Sequence, residues 1–288
     1  MKLSDIKLGI YEKALPADLN WTQKLMTAEN LGFNFVEISV DESDSRLARL
    51  NWTPEKRREF QINIANSPLT VPSMCFSGHR RFPLGSHDPE KRKISRDLMK
   101  KAIFLATDLG IRTIQLAGYD VYYEKGDQDT QHWFIEGIME SLELAARENV
   151  MLSMEIMDTL FMSSIVRFLN LRKKLNSPWF TVYPDIGNLS AWGNDVDQEL
   201  SLGIEYITAI HLKDTLAVTP DFPGQFRDIS FGEGCVDFIS VFETLNKLKF
   251  RGPLLMEMWT EKSSNPIKII NDARLWMIDK MRKGEFCD

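Results

Sequence analysis

The chain has 288 residues and a mass of 33.2 kDa, with 43% hydrophobic and 26% charged residues, the balance of a folded globular protein and not of a disordered one. Its 35 basic and 41 acidic residues leave a net charge of −6 and a pI near 5.4, so nucleic-acid binding, which usually needs a basic face, is not the default expectation. No apolar run approaches the roughly 18 residues of a membrane span, the start Met1-Lys2-Leu3-Ser4-Asp5 is not a secretory signal, and the three cysteines (Cys75, Cys235, Cys287) lack CxxC spacing and suit reduced thiols in the cytoplasm.

Eight β-rich apolar runs alternate with longer amphipathic stretches. In chain order the predicted strands are Lys7–Tyr11, Phe35–Ser39, Val71–Phe76, Thr113–Ala117, Leu152–Ile156, Phe180–Tyr183, Ile207–Leu212 and Pro253–Met258. Most are rich in Val, Ile, Leu and Phe over their whole length, as strands buried on both faces of a parallel sheet are. Between them fall helical signals. Trp21, Leu25 and Ala28 share one face and Leu31-Gly32 closes it. Thr53-Pro54 and Asp88-Pro89 each read as an N-cap followed by proline at the first helical position. Lys101–Gly110, Trp133–Glu148, Asp197–Gly203, Asp237–Leu248 and Pro266–Arg282 complete the helical series.

Strand starts lie 27 to 46 residues apart, the length of a βα unit with variable loops, and no linker divides the chain. The expectation is an α/β fold, a (β/α)8 TIM barrel, as a single catalytic domain over residues 1–288. A doubly wound open sheet usually binds a nucleotide through a glycine-rich first βα turn. Here that turn reads Gly9-Ile10-Tyr11-Glu12-Lys13 and lacks GxGxxG.

In a parallel barrel the carboxyl ends of all strands share one face, where catalytic groups gather. The fifth to eighth predicted strands bring Glu155, Asp185, His211 and Glu257 to that face. Each lies in or beside an apolar run, where a lone charge is costly unless paired or metal-bound. Three carboxylates and one imidazole suit one divalent cation (Mn²⁺, Zn²⁺, Co²⁺ or Mg²⁺), and the absence of cysteine argues against a structural zinc site. Glu155 and Glu257, three strands apart, are placed to flank a bound carbon as acid and base.

Other strand ends point to an anionic substrate. Lys13, His79, Arg80 and Arg81 form a cationic cluster at the mouth of an otherwise acidic protein, and Ser77 adds a donor, a set that suits a phosphate. Gln115 is a candidate partner for a sugar hydroxyl, and Lys213 follows His211 on the same face. Glu37 on the second strand faces the mouth or makes an internal polar bond. Phe231-Gly232-Glu233-Gly234 offers amides to an anion or forms a plain turn. Cys75 reads as a small core residue, and His87 and His132 as surface residues.

Several strings resemble the L-ribulose-5-phosphate 3-epimerase (L-xylulose-5-phosphate 3-epimerase) family, among the xylose-isomerase-like TIM barrels. They are Leu8–Pro16, Pro72–Cys75, Gly78–Ser86, Gln115–Tyr123, Met154–Asp158, Tyr183–Trp192 and Leu255–Trp259. The resemblance runs over nearly the whole chain. It implies a metal-dependent inversion at C3 of a ketopentose 5-phosphate, in L-ascorbate or pentose catabolism, with Glu155, Asp185, His211 and Glu257 as ligands and the two glutamates as the acid–base pair. Related ketose 3-epimerases of free sugars tend to carry a histidine three residues after the metal-binding aspartate. Here Asn188 stands at that position and becomes a candidate substrate contact. The stretch from Leu216 to Ile229 matches none of these strings.

Three rivals remain open at this point. An aldose–ketose isomerase, or a 3-epimerase of another sugar, would carry much the same site. A non-catalytic sugar-phosphate-binding protein would not need two proton carriers. An abasic-site endonuclease of similar fold would need more than the four histidines present and a basic DNA face. The expected partner is therefore a small sugar phosphate, without nucleic acid or membrane, in a chain that can form a homodimer.

Overall fold

The apolar runs form eight parallel strands: β1 (Leu8–Tyr11), β2 (Phe35–Val40), β3 (Ser73–Phe76), β4 (Thr113–Leu116), β5 (Met151–Glu155), β6 (Phe180–Tyr183), β7 (Ile210–Leu212) and β8 (Leu254–Met256). In the computed structural model, which describes residues 2–287, they wind into a nearly closed barrel, the expected single-domain (β/α)8 fold. Positions 1 and 288 of the predicted domain lie outside the described residues. Among the described residues no helix is long and apolar enough to cross a membrane.

Alternation along each strand sorts its residues into two environments. Ile10, Val36, Ile38, Met74, Ile114 and Leu152 belong to one large apolar cluster that also takes in the buried faces of the helices. Their strand neighbours Glu37, Ser39, Ser73, Gln115, Ser153 and Glu155 are equally buried but polar. The barrel therefore keeps its main hydrophobic core between sheet and helices, and its interior combines hydrogen-bonded polar side chains with a small apolar cluster of Tyr11, Phe35, Cys75 and Leu255.

Several strand ends fall inside the expected ranges. Pro72 has no N–H for a ladder, so β3 starts at Ser73, while Pro72 O still accepts from Arg112 N at 3.1 Å. β7 begins at Ile210 because Ile207 makes only an isolated bridge to Val182. Strand order is β6-β5-β4-β3-β2-β1-β8-β7, so β6 and β7 share no continuous ladder. Two isolated bridges, Val182 to Ile207 and Asp185 to His211, close that seam.

The helices are α1 (Trp21–Asn30), α2 (Asp44–Leu47), α3 (Pro54–Ala65), α4 (Pro89–Leu109), α5 (Gln128–Glu148), α6 (Ile165–Leu175), α7 (Ile186–Ala191), α8 (Val196–Gly203), α9 (Phe238–Lys247) and α10 (Pro266–Lys283). Thr53 and Asp88 cap α3 and α4 as their Thr-Pro and Asp-Pro pairs predict. The expected Lys101–Gly110 helix is the second half of α4, and α5 begins five residues before Trp133, behind an Asp127–Thr130 capping box. α6 has no counterpart in the expected series, although its buried Ile165, Phe168 and Leu171 recur every three residues above a Ser164 cap.

One buried ion network fixes the start of the barrel. Glu12, fully buried just after β1, accepts from Lys24 Nζ (2.8 Å), Arg49 Nη1 (2.6 Å) and Ser39 N (2.9 Å), with Arg46 Nη1 at 2.8 Å. It thereby ties β1 to the end of β2 and to the helical segments that follow both strands. Burial would raise the Glu12 pKa, but the bonds from Arg49 and the charges of Lys24 and Arg46 outweigh it and hold the carboxyl far below its usual range. Because the folded pKa is depressed, the stabilisation is present above the unfolded value of about 4.3 and is lost as pH falls below it. Glu12→Gln removes one partner of a buried ionic network and should cost about 3–5 kcal/mol at pH 7. Urea unfolding at several pH values checks this, with the gap from wild type expected to narrow below about pH 4.

Candidate functional site

Four strand ends deliver four ligand-bearing side chains to one point. Glu155 is the last residue of β5, and His211 is the middle residue of β7. Glu257 lies one residue past β8, where its N–H still donates to Leu212 O at 2.9 Å. Asp185 follows β6 and caps α7: its Oδ1 accepts from Asn188 N at 2.8 Å, which turns Oδ2 toward the others. All four residues are buried, and one ligand atom from each lies within 4.8 Å of the rest.

His211 is oriented from behind. Its Nε2 lies 3.2 Å from Glu37 Oε1, while its Nδ1 faces Glu155 Oε1 at 2.9 Å, Asp185 Oδ2 at 3.8 Å and Glu257 Oε2 at 3.9 Å. Glu37 is fully buried and is itself held by Ser73 Oγ (2.6 Å) and the Tyr183 hydroxyl (3.2 Å). Ring orientation therefore assigns Nδ1 to the cluster and Nε2 to Glu37, so Glu37 makes an internal polar bond. Gln115 Nε2 donates to Glu155 Oε2 in the same way, from behind the ligand.

Electrostatics test whether a cation fits. Three carboxylates share the cluster with one ammonium: Lys213 Nζ is 2.8 Å from Asp185 Oδ2 and 3.1 Å from Glu257 Oε2. Burial would lower the His211 pKa, but the carboxylates of Glu257, Glu155 and Glu37 outweigh it and hold that pKa well above its ordinary value, so without an ion a proton on the imidazole offsets part of the charge. With the imidazole neutral, as a metal ligand must be, two negative charges are left, which is the charge one divalent ion supplies. Asp185 Oδ2 and Glu257 Oε2, though within ion-pair range of Lys213, have no hydrogen bond of normal geometry. Orphaned oxygens on a buried all-O/N donor set fit an ion of the Mg²⁺, Mn²⁺, Co²⁺ or Zn²⁺ kind.

The two glutamates differ in proton affinity. Burial pushes Glu155 up to about 7, against the opposing pull of His211. Glu257 is equally buried, but Lys213 and His211 outweigh that effect and bring it down to about 2.

Above the cluster opens a cavity of about 160 Å³. Of the residues expected from sequence, Glu155, Glu257, Lys13, Ser77, Arg80, Asn188 and Lys213 line it. Asn188 Nδ2 is tied to Ile156 O at 2.8 Å, and its buried Oδ1 has no partner. A wider groove of about 660 Å³ borders the cavity and shares Lys213, Glu257 and Trp259 with it.

The expected cationic cluster does not converge. Lys13 reaches the cavity but is also paired with Asp41. Arg81 points outward to Asp44 at 2.5 Å, and neither Arg81 nor His79 lines the cavity. His79 is packed on Phe76 with ring centroids 4.6 Å apart, and burial pushes its pKa down to about 3, so it is neutral near pH 7. These residues follow a short 3-10 turn, Gly78–Arg80, in which successive side chains point about 120° apart, so one neighbour can face the cavity while the next cannot. Cavity residues missed in the sequence include Tyr122, Asp158, Arg227 and Trp259. Asp158 follows Glu155 closely enough to be found by position, but Arg227 lies in a loop without periodicity. The Phe231–Gly234 turn does not serve an anion from outside: Gly232 N and Gly234 N donate to Asp214 Oδ2 at 2.8 and 3.1 Å.

Comparison with known proteins adds relatives to this geometry. The family model described as xylose isomerase-like TIM barrel matches residues 25–280. SgbU of Escherichia coli strain K12 is 56% identical over 280 residues, covering 97% of this chain and 98% of that protein. L-ribulose-5-phosphate 3-epimerase UlaE of Escherichia coli strain K12 / DH10B is 51% identical over 284 residues, 99% of this chain and 98% of that one. Among solved structures, an L-ribulose 3-epimerase superposes with a TM-score of 0.79 at 15% identity, over 97% of this chain and 96% of that chain. At that identity the likeness concerns the fold.

The bond from Glu37 to His211 has a measurable consequence. Carboxylates behind a metal-binding histidine fix its tautomer, and their loss typically weakens metal affinity about 10- to 100-fold. Glu37→Gln should lower the affinity for Mn²⁺ by that order, measured by competition with a chelating dye. An unchanged affinity would leave Glu37 as a packing residue only.

Proposed function

The chain belongs to the xylose isomerase-like TIM-barrel family, in the group of the L-ribulose-5-phosphate 3-epimerases, and is an isomerase-class enzyme; from that premise we propose that it interconverts L-xylulose 5-phosphate and L-ribulose 5-phosphate by inverting C3. The observation that carries this reading is the pair Glu155 and Glu257, buried carboxylates that line one cavity from strands on different parts of the barrel, beside Asp185 and His211. Carboxyls placed in this way suit the roles of acid and base.

The residues suggest the course of the reaction. Glu155, Asp185, His211 and Glu257 would hold one divalent cation, which when bound supplies a positive centre for charge developing on the ketose oxygens. One glutamate takes the C3 hydrogen as a proton. The electron pair of the broken C–H bond enters the C2–C3 bond, and the C2 oxygen gains the negative charge of a cis-enediolate. The other glutamate delivers a proton to the opposite face of C3, and the carbonyl re-forms with C3 inverted. Asn188 Oδ1, held with its lone pairs free, suits a substrate hydroxyl. Lys13, Ser77 and Arg80 suit the anionic end. His79 and Arg81 are not assigned to it. Gln115, bonded to Glu155, acts on the site through that glutamate and not through the sugar.

We assign the reaction to L-ascorbate or pentose catabolism and the protein to the cytoplasm, in keeping with its free cysteines Cys75, Cys235 and Cys287.

Proton NMR of L-xylulose 5-phosphate in D₂O tests the reading. The C3 proton signal should disappear as L-ribulose 5-phosphate appears, and chelator should stop both. Exchange at C1 with an aldose product would make the enzyme an aldose–ketose isomerase. Absence of exchange at either carbon, with metal restored, would favour a binding protein or another substrate. Glu155→Gln and Glu257→Gln should each reduce turnover by about 10²- to 10⁴-fold, the usual contribution of a general acid or base. Near-normal turnover in either variant that still binds metal would remove that glutamate from proton transfer.

A further inference from the structure

Two arginines in the cavity lining carry positive charge that no ion pair among the described residues neutralises. Among the described residues, neither Arg80 nor Arg227 has an ion pair within 4.0 Å, and each is held instead by aromatic rings. Arg80 Nε and Nη2 donate to the Tyr119 hydroxyl at 3.2 and 3.0 Å, and its guanidinium carbon sits 5.0 Å from the Tyr122 ring centroid. The Arg227 guanidinium carbon sits 4.3 Å from the Trp259 ring centroid. Both arginines line this one cavity of about 160 Å³, together with Tyr122 and Trp259. Lys13 and Lys213, the other cations of the cavity, already face Asp41, Asp185 and Glu257. Outside the metal-type cluster, Asp158 is the remaining carboxylate among the residues lining the cavity.

Arg227 is placed by the fold even though its side chain is exposed. Its loop leaves β7 and turns back on itself at an antiparallel bridge, Leu216 N to Gln225 O at 2.8 Å and Gln225 N to Leu216 O at 3.1 Å. Beyond Arg227, buried Asp214 accepts from Gly232 N and Gly234 N and so anchors the returning end. Trp259, the stacking partner, packs on Tyr11 and the small cluster Phe35, Cys75 and Leu255 inside the barrel mouth. A guanidinium stacked through its face keeps its in-plane N–H groups available, and their fork matches two oxygens of a phosphate.

We propose that Arg227 is a substrate-recognition residue that grips the phosphate of the ketose together with Arg80, and that this pair makes the enzyme prefer phosphorylated over free ketoses. The proposal rests on the sugar-phosphate reading above, and it adds a residue to that site from a loop carrying none of the expected contacts.

The test combines binding with kinetics. Titration calorimetry with inorganic phosphate should give about 10- to 100-fold weaker binding to Arg227→Ala than to wild type, the loss typical of a charged hydrogen bond. In steady-state assays the KM for L-xylulose 5-phosphate should rise by the same order, with kcat changed less than about threefold, while kcat/KM for free L-xylulose stays at the wild-type value. Arg227→Lys, which keeps the charge but loses the fork, should fall between the two. Unchanged phosphate binding and unchanged KM in Arg227→Ala would overturn the proposal, as would equal losses of kcat/KM on both ketoses. A wild-type protein that turns over neither ketose, yet binds phosphate through Arg227, would sink the epimerase reading and the ketose preference with it, while upholding Arg227 as a phosphate-gripping residue.

Discussion

Three carboxylates driven into the same buried place are the constraint around which this protein is arranged. Like charges at such range cannot all remain ionised in a low-dielectric interior without compensation. The barrel meets that demand from several directions. Lys213 brings an ammonium to Asp185 and Glu257, His211 turns one nitrogen to all three acids, and Asp185 spends its other oxygen on the cap of α7. The compensation is uneven: Lys213 lies against Asp185 and Glu257, so burial pushes the Glu155 carboxyl up while Lys213 and His211 bring Glu257 down.

That arrangement depends on the way the strands divide their residues. A barrel interior of ordinary apolar side chains would leave the site no polar support. Here the residues between the outward Val, Ile, Leu and Met side chains are glutamate, serine, glutamine, tyrosine and histidine, and they bond to one another across the interior. Ser73 and Tyr183 hold Glu37, Glu37 holds His211, and His211 meets Glu155. Each link narrows the rotamers of the next, so the ligand atoms are aimed before anything binds.

How much of this the sequence reveals depends on the distance between partners. The four ligand-bearing residues are legible because parallel strands bring their carboxyl ends to one face whatever the details of packing. The barrel itself is legible for the same reason, from eight apolar runs at βα spacing. Glu37 stands out as an acid in the run Phe35–Val40, but its bond joins residues 174 positions apart, and no local pattern encodes that. The cationic run His79-Arg80-Arg81 misleads because adjacency in sequence is not convergence in space when the backbone turns tightly. Arg227 is invisible from sequence: its loop owes its shape to Asp214 and to the bridge between Leu216 and Gln225, not to any periodic pattern. α6, by contrast, carried its cap and its apolar spacing in plain view.

The seam between β6 and β7 gives the site a mechanical side. Elsewhere the strands are joined by ladders of three or more paired residues, but these two meet only at isolated bridges, one of which is Asp185 with His211. Two of the four ligand-bearing residues thus stand on opposite banks of the least-stitched joint in the cylinder. An ion held by all four residues would span that joint, so parting the two strands would pull its ligands apart. Amide exchange along Val182–Asp185 and Ile207–His211 is then a gauge of occupancy, read from the backbone and blind to catalysis.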